Sequence, residues 1–224
     1  MEKTFEWENR TRLVHDVADV LRKRIYSGQI RSGEPLRQEQ VASELRISRT
    51  PLREALRMLE REGLVHAGPG GRVTVTQVDF SELLEAYAMR EVIDGLAASL
   101  ASQRAVASDI AMLGKIIERQ EVSLHPWIPN DYTQTNVEFH VAITSLANNP
   151  FLSRQLPIIH MTSRVFTPQG LLQRDRAVSA IQEHIEIINA IASQDAFRAE
   201  ETARRHIRNT INRLREAASN AVPE

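Results

Sequence analysis

The run Ser48-Arg49-Thr50-Pro51-Leu52-Arg53-Glu54-Ala55-Leu56-Arg57-Met58-Leu59-Glu60-Arg61-Glu62-Gly63 leaves a folding chain few choices. Leu52, Ala55, Leu56 and Leu59 fall at i, i+3, i+4 and i+7, the spacing of one apolar helix stripe. Arg49, Arg53 and Arg57 recur every four residues on a different face. A hydroxyl of Ser48 or Thr50 can cap the helix start, because it accepts from an N–H with no intrahelical partner. Pro51 is tolerated in the first turn, and Gly63 can end the helix in a left-handed conformation. An apolar back with an arginine front suits the major groove of DNA, where guanidinium forks match guanine O6 and N7 and also phosphate. A surface helix with a solvated basic face would carry the same pattern.

The flanks separate the two readings. Gln38–Leu45 reads as a shorter helix with Val41, Ala42 and Leu45 inward, and Arg46-Ile47 turns from it into the arginine helix. Downstream, Leu64-Val65-His66 and Arg72-Val73-Thr74-Val75 are β-prone and joined by Gly68-Pro69-Gly70-Gly71, a hairpin that would make a wing. Helix, turn, arginine helix and wing in this order describe a winged helix-turn-helix.

Ser48-Arg49-Thr50-Pro51-Leu52-Arg53-Glu54-Ala55-Leu56, followed by Glu62-Gly63-Leu64-Val65, resembles the signature of GntR-type bacterial transcription regulators over roughly residues 10–76. The resemblance implies DNA contacts from Ser48, Arg49, Thr50 and Arg53, and a minor-groove approach by Gly70. Arg57 would help place the helix on the backbone. Arg46 stands where the family usually has glycine. If that position needs positive φ, arginine costs about 1 kcal/mol relative to glycine, and it can add a phosphate contact instead. Glu39 sits where some family members carry a DNA-contacting arginine.

Charge is uneven along the chain. Residues 1–75 hold 14 Lys/Arg against 11 Asp/Glu, and the remainder holds 14 against 18. A basic amino end on an acidic body supports phosphate attraction at one end only. No cysteine is present, which excludes disulfides and thiolate metal sites. With no basic-then-apolar leader and no apolar run of membrane-spanning length, the expected location is the cytoplasm, with no membrane partner.

The expected fold is mainly α. A winged helix-turn-helix occupies 1–76, a hinge 77–80, and an all-α six-helix bundle for effector binding and dimerisation 81–224. The first helix is expected over Arg12–Ser27, with Leu13, Val17, Val20, Leu21 and Ile25 inward and residues 1–9 frayed. The bundle helices are expected at about 81–103, 107–123, 131–147, 150–166, 174–193 and 195–218, capped by Ser81 and by Ser108-Asp109 at the first two, with Pro157 kinking or breaking the fourth.

Asn136 and His140 are i, i+4 on one bundle helix, and His184 and His206 lie among apolar residues on two others. Three imidazoles and an amide oxygen can hold a divalent metal (zinc, nickel or manganese), whereas buried histidines satisfied by hydrogen bonds would show the same spacing. Asn136-Val137-Glu138-Phe139-His140, Glu183-His184-Ile185-Glu186 and Arg205-His206-Ile207 are similar to the FCD effector domain of the FadR branch, and the short six-helix form to its VanR-like subgroup. The resemblance implies that Asn136, His140, His184 and His206 hold the ion. Asn136 replaces a more frequent aspartate, which removes a negative charge. It also implies an effector pocket served by Arg90 and Arg164. His160, one turn before Arg164, is by its position a candidate further lining residue. Arginines beside a metal favour a small carboxylate. Alternatively, Arg90 pairs with Glu91, Asp94 or an acid on another helix.

These features imply a ligand-responsive regulator, not an enzyme. It would act as a homodimer on a palindromic operator of double-stranded DNA, as a repressor that senses a small organic acid. A metal-only sensor and a structural metal are the rival readings of the histidines. A metal-dependent hydrolase with Glu183 as base is another, but adjacent helical residues diverge by about 100° and the winged module would be unexplained.

Overall fold

The computed structural model describes residues 3–166 and 173–220, with side chains described from Thr11 to Ser219. Contacts divide the chain into two compact units. One runs to Val78 and takes in Arg164–Phe166; the other comprises the rest of the described chain from Asp79.

In the first unit, α1 (Lys3–Tyr26) starts earlier than its apolar spacing predicts. Val14, Val17, Ala18, Leu21 and Ile25 are buried, whereas Leu13 and Val20 are 38% and 37% exposed. The inward stripe is thus narrower than the hydrophobicity of the helix suggests. α2 (Gln38–Leu45) and α3 (Arg49–Arg61) follow, and α3 buries Leu52, Ala55, Leu56 and Leu59 as its spacing requires. Its N-cap is Ser48, yet the hydroxyl makes no capping bond. Beyond the helix, Gly63 takes φ +77° and Leu64 N–H returns to Leu59 O at 2.9 Å. The wing strands β2 (Val65–Ala67) and β3 (Val73–Val75) pair antiparallel, with His66 opposite Thr74. A third strand, β1 (Pro35–Leu36), adds to the far side of β3, so the sheet order is β1-β3-β2.

The second unit is all-helical among the described residues. It contains α4 (Phe80–Ser102), α5 (Ala107–Val122), α6 (Pro129–Leu146), α7 (Pro150–Ser153), α8 (Leu156–His160), α9 (Arg174–Ala192) and α10 (Ala196–Asn220). The cap of α4 is Asp79, not Ser81: its carboxylate accepts from Glu82 N–H, and Glu82 reciprocates to Asp79 N–H, both at 2.8 Å. Val106 precedes α5, where Asp109 accepts from its N–H at 2.9 Å. Pro129 opens α6 at a position where its missing N–H costs nothing. The single helix expected over 150–166 is divided into α7, α8 and a π-helical turn, Met161–Phe166. Pro157 stands in the first turn of α8 and cannot continue a helix from before it. The core joins all the long helices through Ala97, Leu113, Ile117, Phe139, Ile181 and Ala199.

Candidate metal centre and nucleic-acid interface

The first unit presents α3 as a two-faced rod. Arg49, Arg53 and Arg57 are exposed, as are Ser48 and Thr50, while the opposite stripe is buried. Ser48 Oγ is not spent on the cap, so the hydroxyl remains available at the helix start. Arg46 ends α2 at φ 53°, ψ 44°, a left-handed conformation in an arginine. The wing turn passes through Pro69–Gly71, with Gly70 at φ 72°, which glycine accepts without strain. Gln38 Nε2 donates to Gly71 O at 2.9 Å, tying the start of α2 to the wing. A groove beside α3 is lined by Arg53, Arg57, Gln38, Gly71 and Val73. The spacing of the arginines made α3 legible, but nothing in the sequence marked Gln38.

In the second unit, α6, α9 and α10 bring His140, His184 and His206 together. All three are buried, and each offers a ring nitrogen within 4.8 Å of the other two. Each Nδ1 faces an acceptor on a different helix. His140 Nδ1 lies 2.6 Å from Asp94 Oδ1 on α4, His206 Nδ1 lies 2.6 Å from Glu183 Oε2 on α9, and His184 Nδ1 lies 3.0 Å from Gln120 Oε1 on α5. Ionised carboxylates only accept, so His140 and His206 carry their protons on Nδ1. Their Nε2 lone pairs then point inward, and His184 Nε2 lies 3.3 Å from His206 Nε2. A proton between those two atoms would require an imidazolium. Burial opposes that: it drives His184 well below its ordinary value and lowers His140, while His206 is brought to about 4 despite its bond to Glu183. Converging bare lone pairs are what a divalent cation neutralises, so the donor set fits a metal. Each imidazole is already oriented by a partner on its far nitrogen.

The acids behind the histidines are ionised. Burial alone would raise Asp94, but the charge of Arg90 and hydrogen bonds from Arg90 and His140 keep it below the ordinary carboxylate range. Burial likewise opposes ionisation of Glu183, yet the bond from His206 and the charge and hydrogen bond of Arg176 bring it to about 2.

A cavity of about 400 Å³ opens beside these histidines, lined by Arg90, Asn136, His140, Arg176, His206 and Thr210 among others. Asn136 is half-buried, one turn before His140, and faces this cavity. Arg90 is only 2% exposed. Its Nε and Nη2 donate to Asp94 at 3.1 and 3.2 Å, an intrahelical pairing, and its Nη1 reaches Thr162 Oγ1 and Ser163 Oγ. Arg164 and His160 do not line the cavity; Arg164 clusters with the first unit. The reason is local. The break at Pro157 and the π-helical turn re-aim the segment that was expected to be one regular helix. Arg176, which no motif in the sequence marks, does line it. The one available signal was its place on α9 two turns before His184. Glu183 is not a candidate base, because its carboxylate is engaged by His206, Arg176 and Asn209.

A winged helix-turn-helix joined in one chain to a helical unit with a polar cavity is the architecture of a DNA-binding regulator. Residues 13–75 match the family model for bacterial regulatory proteins of the gntR family, and residues 85–209 match the FCD domain. The chain belongs to the GntR family of transcriptional regulators, in the group that carries an FCD domain. It is 27% identical over 192 residues to the uncharacterized HTH-type transcriptional regulator YdhC of Bacillus subtilis, covering 84% of this chain and 82% of the relative. It is 30% identical over 147 residues to the gluconate operon transcriptional repressor of Bacillus licheniformis, covering 66% and 60%. The solved structure of E. coli McbR/YncC superposes with a TM-score of 0.79 at 21% identity, over 92% of this chain and 98% of that one, and so shares the fold. No described helix is long and apolar enough to cross a membrane.

Proposed function

We propose that this regulator is an acid-responsive repressor, active as a homodimer on a palindromic operator. Residues 1–76 form the reading head, 77–80 the hinge and 81–224 the sensor. Two-fold protein symmetry calls for two half-sites of matching symmetry. Arg49 and Arg53 read base edges. Ser48, Thr50, Arg57 and Arg46 place α3 on the backbone, and Gly70 carries the wing toward the minor groove. In the sensor, Asn136, His140, His184 and His206 hold a divalent ion, which when bound supplies a positive Lewis-acidic centre for an anionic ligand. Arg90 holds Asp94, and Asp94 in turn holds His140. A contact of Arg164 with the effector rests on the family resemblance alone, and one of His160 only on its place one turn before Arg164.

The observation that carries this reading is the convergence of three Nδ1-anchored imidazoles, two of which, His140 and His206, line a cavity that also contains arginine. Without an anion, such a site keeps a net positive charge, which a carboxylate neutralises. Ligand and operator are then linked by a coupling free energy, of which about 1–3 kcal/mol is typical. The relative that represses a gluconate operon makes sugar acids the first class to screen.

The test is operator affinity at fixed salt, with zinc alone and with zinc plus each acid. An acid that changes affinity at least fivefold supports the reading. A full response to zinc alone would establish the metal-only sensor in its place.

A further inference from the structure

We infer that Arg176 is the anion anchor of the sensor cavity, the side chain that takes the effector's carboxylate. The inference rests on the acid-sensing reading above and names the residue that executes it.

The two arginines of the cavity differ in what they have left to donate. All three guanidinium nitrogens of Arg90 are engaged, two by Asp94 and one by the hydroxyls of Thr162 and Ser163. Arg176 instead concentrates its bonds on one nitrogen. Nη2 donates to Glu183 Oε2 at 2.8 Å and to Thr210 Oγ1 at 2.9 Å, with His206 O at 3.5 Å. Nη1 is buried and has no hydrogen-bond partner. A buried cationic N–H without an acceptor is costly, and native structures rarely leave one without a purpose. Its surroundings do not supply the acceptor: Asn136, Thr210 and Ser179 line the same cavity, and none is bonded to Nη1.

The anchor is also pre-aimed. Glu183 and Thr210 fix the Nη2 side of the fork, and the planar guanidinium therefore fixes where Nη1 points. Glu183 accepts from His206 Nδ1 as well, so one carboxylate orients both the anchor and a histidine of the metal triad. Arg176, Asn136, His140 and His206 line one cavity, so a carboxylate held by Arg176 would lie beside the imidazole cluster. Ligands without charge gain much less there, since a charge-assisted bond is roughly twice as strong as a neutral one.

The experiment uses the full-length, zinc-loaded protein with acetate as the carboxylate probe and acetamide as its neutral isostere. Binding is followed by thermal shift and by calorimetry, with zinc content measured in every sample. The wild-type chain should bind acetate and discriminate against acetamide. Arg176→Gln should weaken acetate at least tenfold while keeping one zinc per chain. Arg176→Lys should weaken it at least threefold, because an ammonium paired to Glu183 leaves no separately directed donor. That variant keeps the charge if the glutamine variant does not fold. Acetate affinity unchanged in both variants overturns the anchor and leaves the acid-sensing reading standing. Failure of the wild-type chain to respond to any acid in the operator assay removes the acid-sensing reading and the anchor with it.

Discussion

Arg49 Nη2 donates to Glu39 Oε1 at 2.5 Å, so the leading arginine of the recognition helix is tethered to an acid on the helix before it. Both side chains are largely exposed, and such a pair contributes little to folding. Its consequence is for the proposed DNA contact: to reach a base edge or a phosphate, Arg49 would have to give up Glu39, and Glu39 would then face the polyanion. Glu39→Gln should leave the unfolding midpoint unchanged and tighten binding to any duplex, most at low salt. Fluorescence anisotropy across a salt series reads this directly. Arg49→Ala should cost about 1–3 kcal/mol of operator affinity and relax one base position.

The left-handed backbone at Arg46 predicts a stabilising substitution. At φ 53°, ψ 44° an arginine bears a cost that glycine does not. Arg46→Gly should raise stability in urea denaturation by up to about 1 kcal/mol, with the gain reduced by the extra freedom of glycine in the unfolded chain. The same substitution should weaken operator binding if the guanidinium meets phosphate. Opposite signs in the two assays are the expected outcome.

Metal removal should lower the melting temperature, because an ion that binds only the folded chain stabilises it by mass action, about 2.7 kcal/mol at a hundredfold excess over Kd. Gln120→Leu removes the acceptor that orients His184 and should reduce zinc affinity about 10–100-fold. Asn136→Asp should act in the opposite direction by placing a negative charge at the cavity wall. Competition with a chromophoric chelator ranks all three proteins. Equal affinities would mean that the histidines form a structural hydrogen-bonded cluster.

What the sequence disclosed follows from the length scale of each signal. The stripe Leu52, Ala55, Leu56, Leu59 spans two helical turns and repeats enough to be unmistakable, and all four are buried. The histidines were legible because imidazole is unusual on an apolar face. β1 is only Pro35–Leu36, too short for any alternation to show, and it exists because β3 offers an open edge. Ser81 looked like the cap of α4 by type, but Asp79 won because Glu82, three residues on, completes a reciprocal pair with it. Arg176 was hidden for a different reason. An arginine at the start of an amphipathic helix reads as solvent-facing, and only Glu183, two turns on along α9, and Thr210, from α10, engage it as a partly buried donor.

The packing of α4 against α10 turns on Gly95. A Cβ at that residue would stand 2.7 Å from Arg204 Cγ and 3.0 Å from its Nε. Arg204 crosses the glycine to donate to Glu200 Oε1 through Nε at 3.0 Å and Nη2 at 2.8 Å, and it lies 3.9 Å from Glu91. The clash is with the stem of the side chain, so relief requires Arg204 to leave these partners. Overpacking of this kind costs about 1–3 kcal/mol, and the better helix propensity of alanine returns about 1 kcal/mol. Gly95→Ala should therefore destabilise the wild-type chain by about 1 kcal/mol. In an Arg204→Ala background the obstacle is gone, and the same substitution should stabilise by up to about 1 kcal/mol. A double-mutant cycle in urea isolates the coupling, expected near 2 kcal/mol. If alanine at 95 is equally stabilising in both backgrounds, the close approach of Arg204 does not constrain this position.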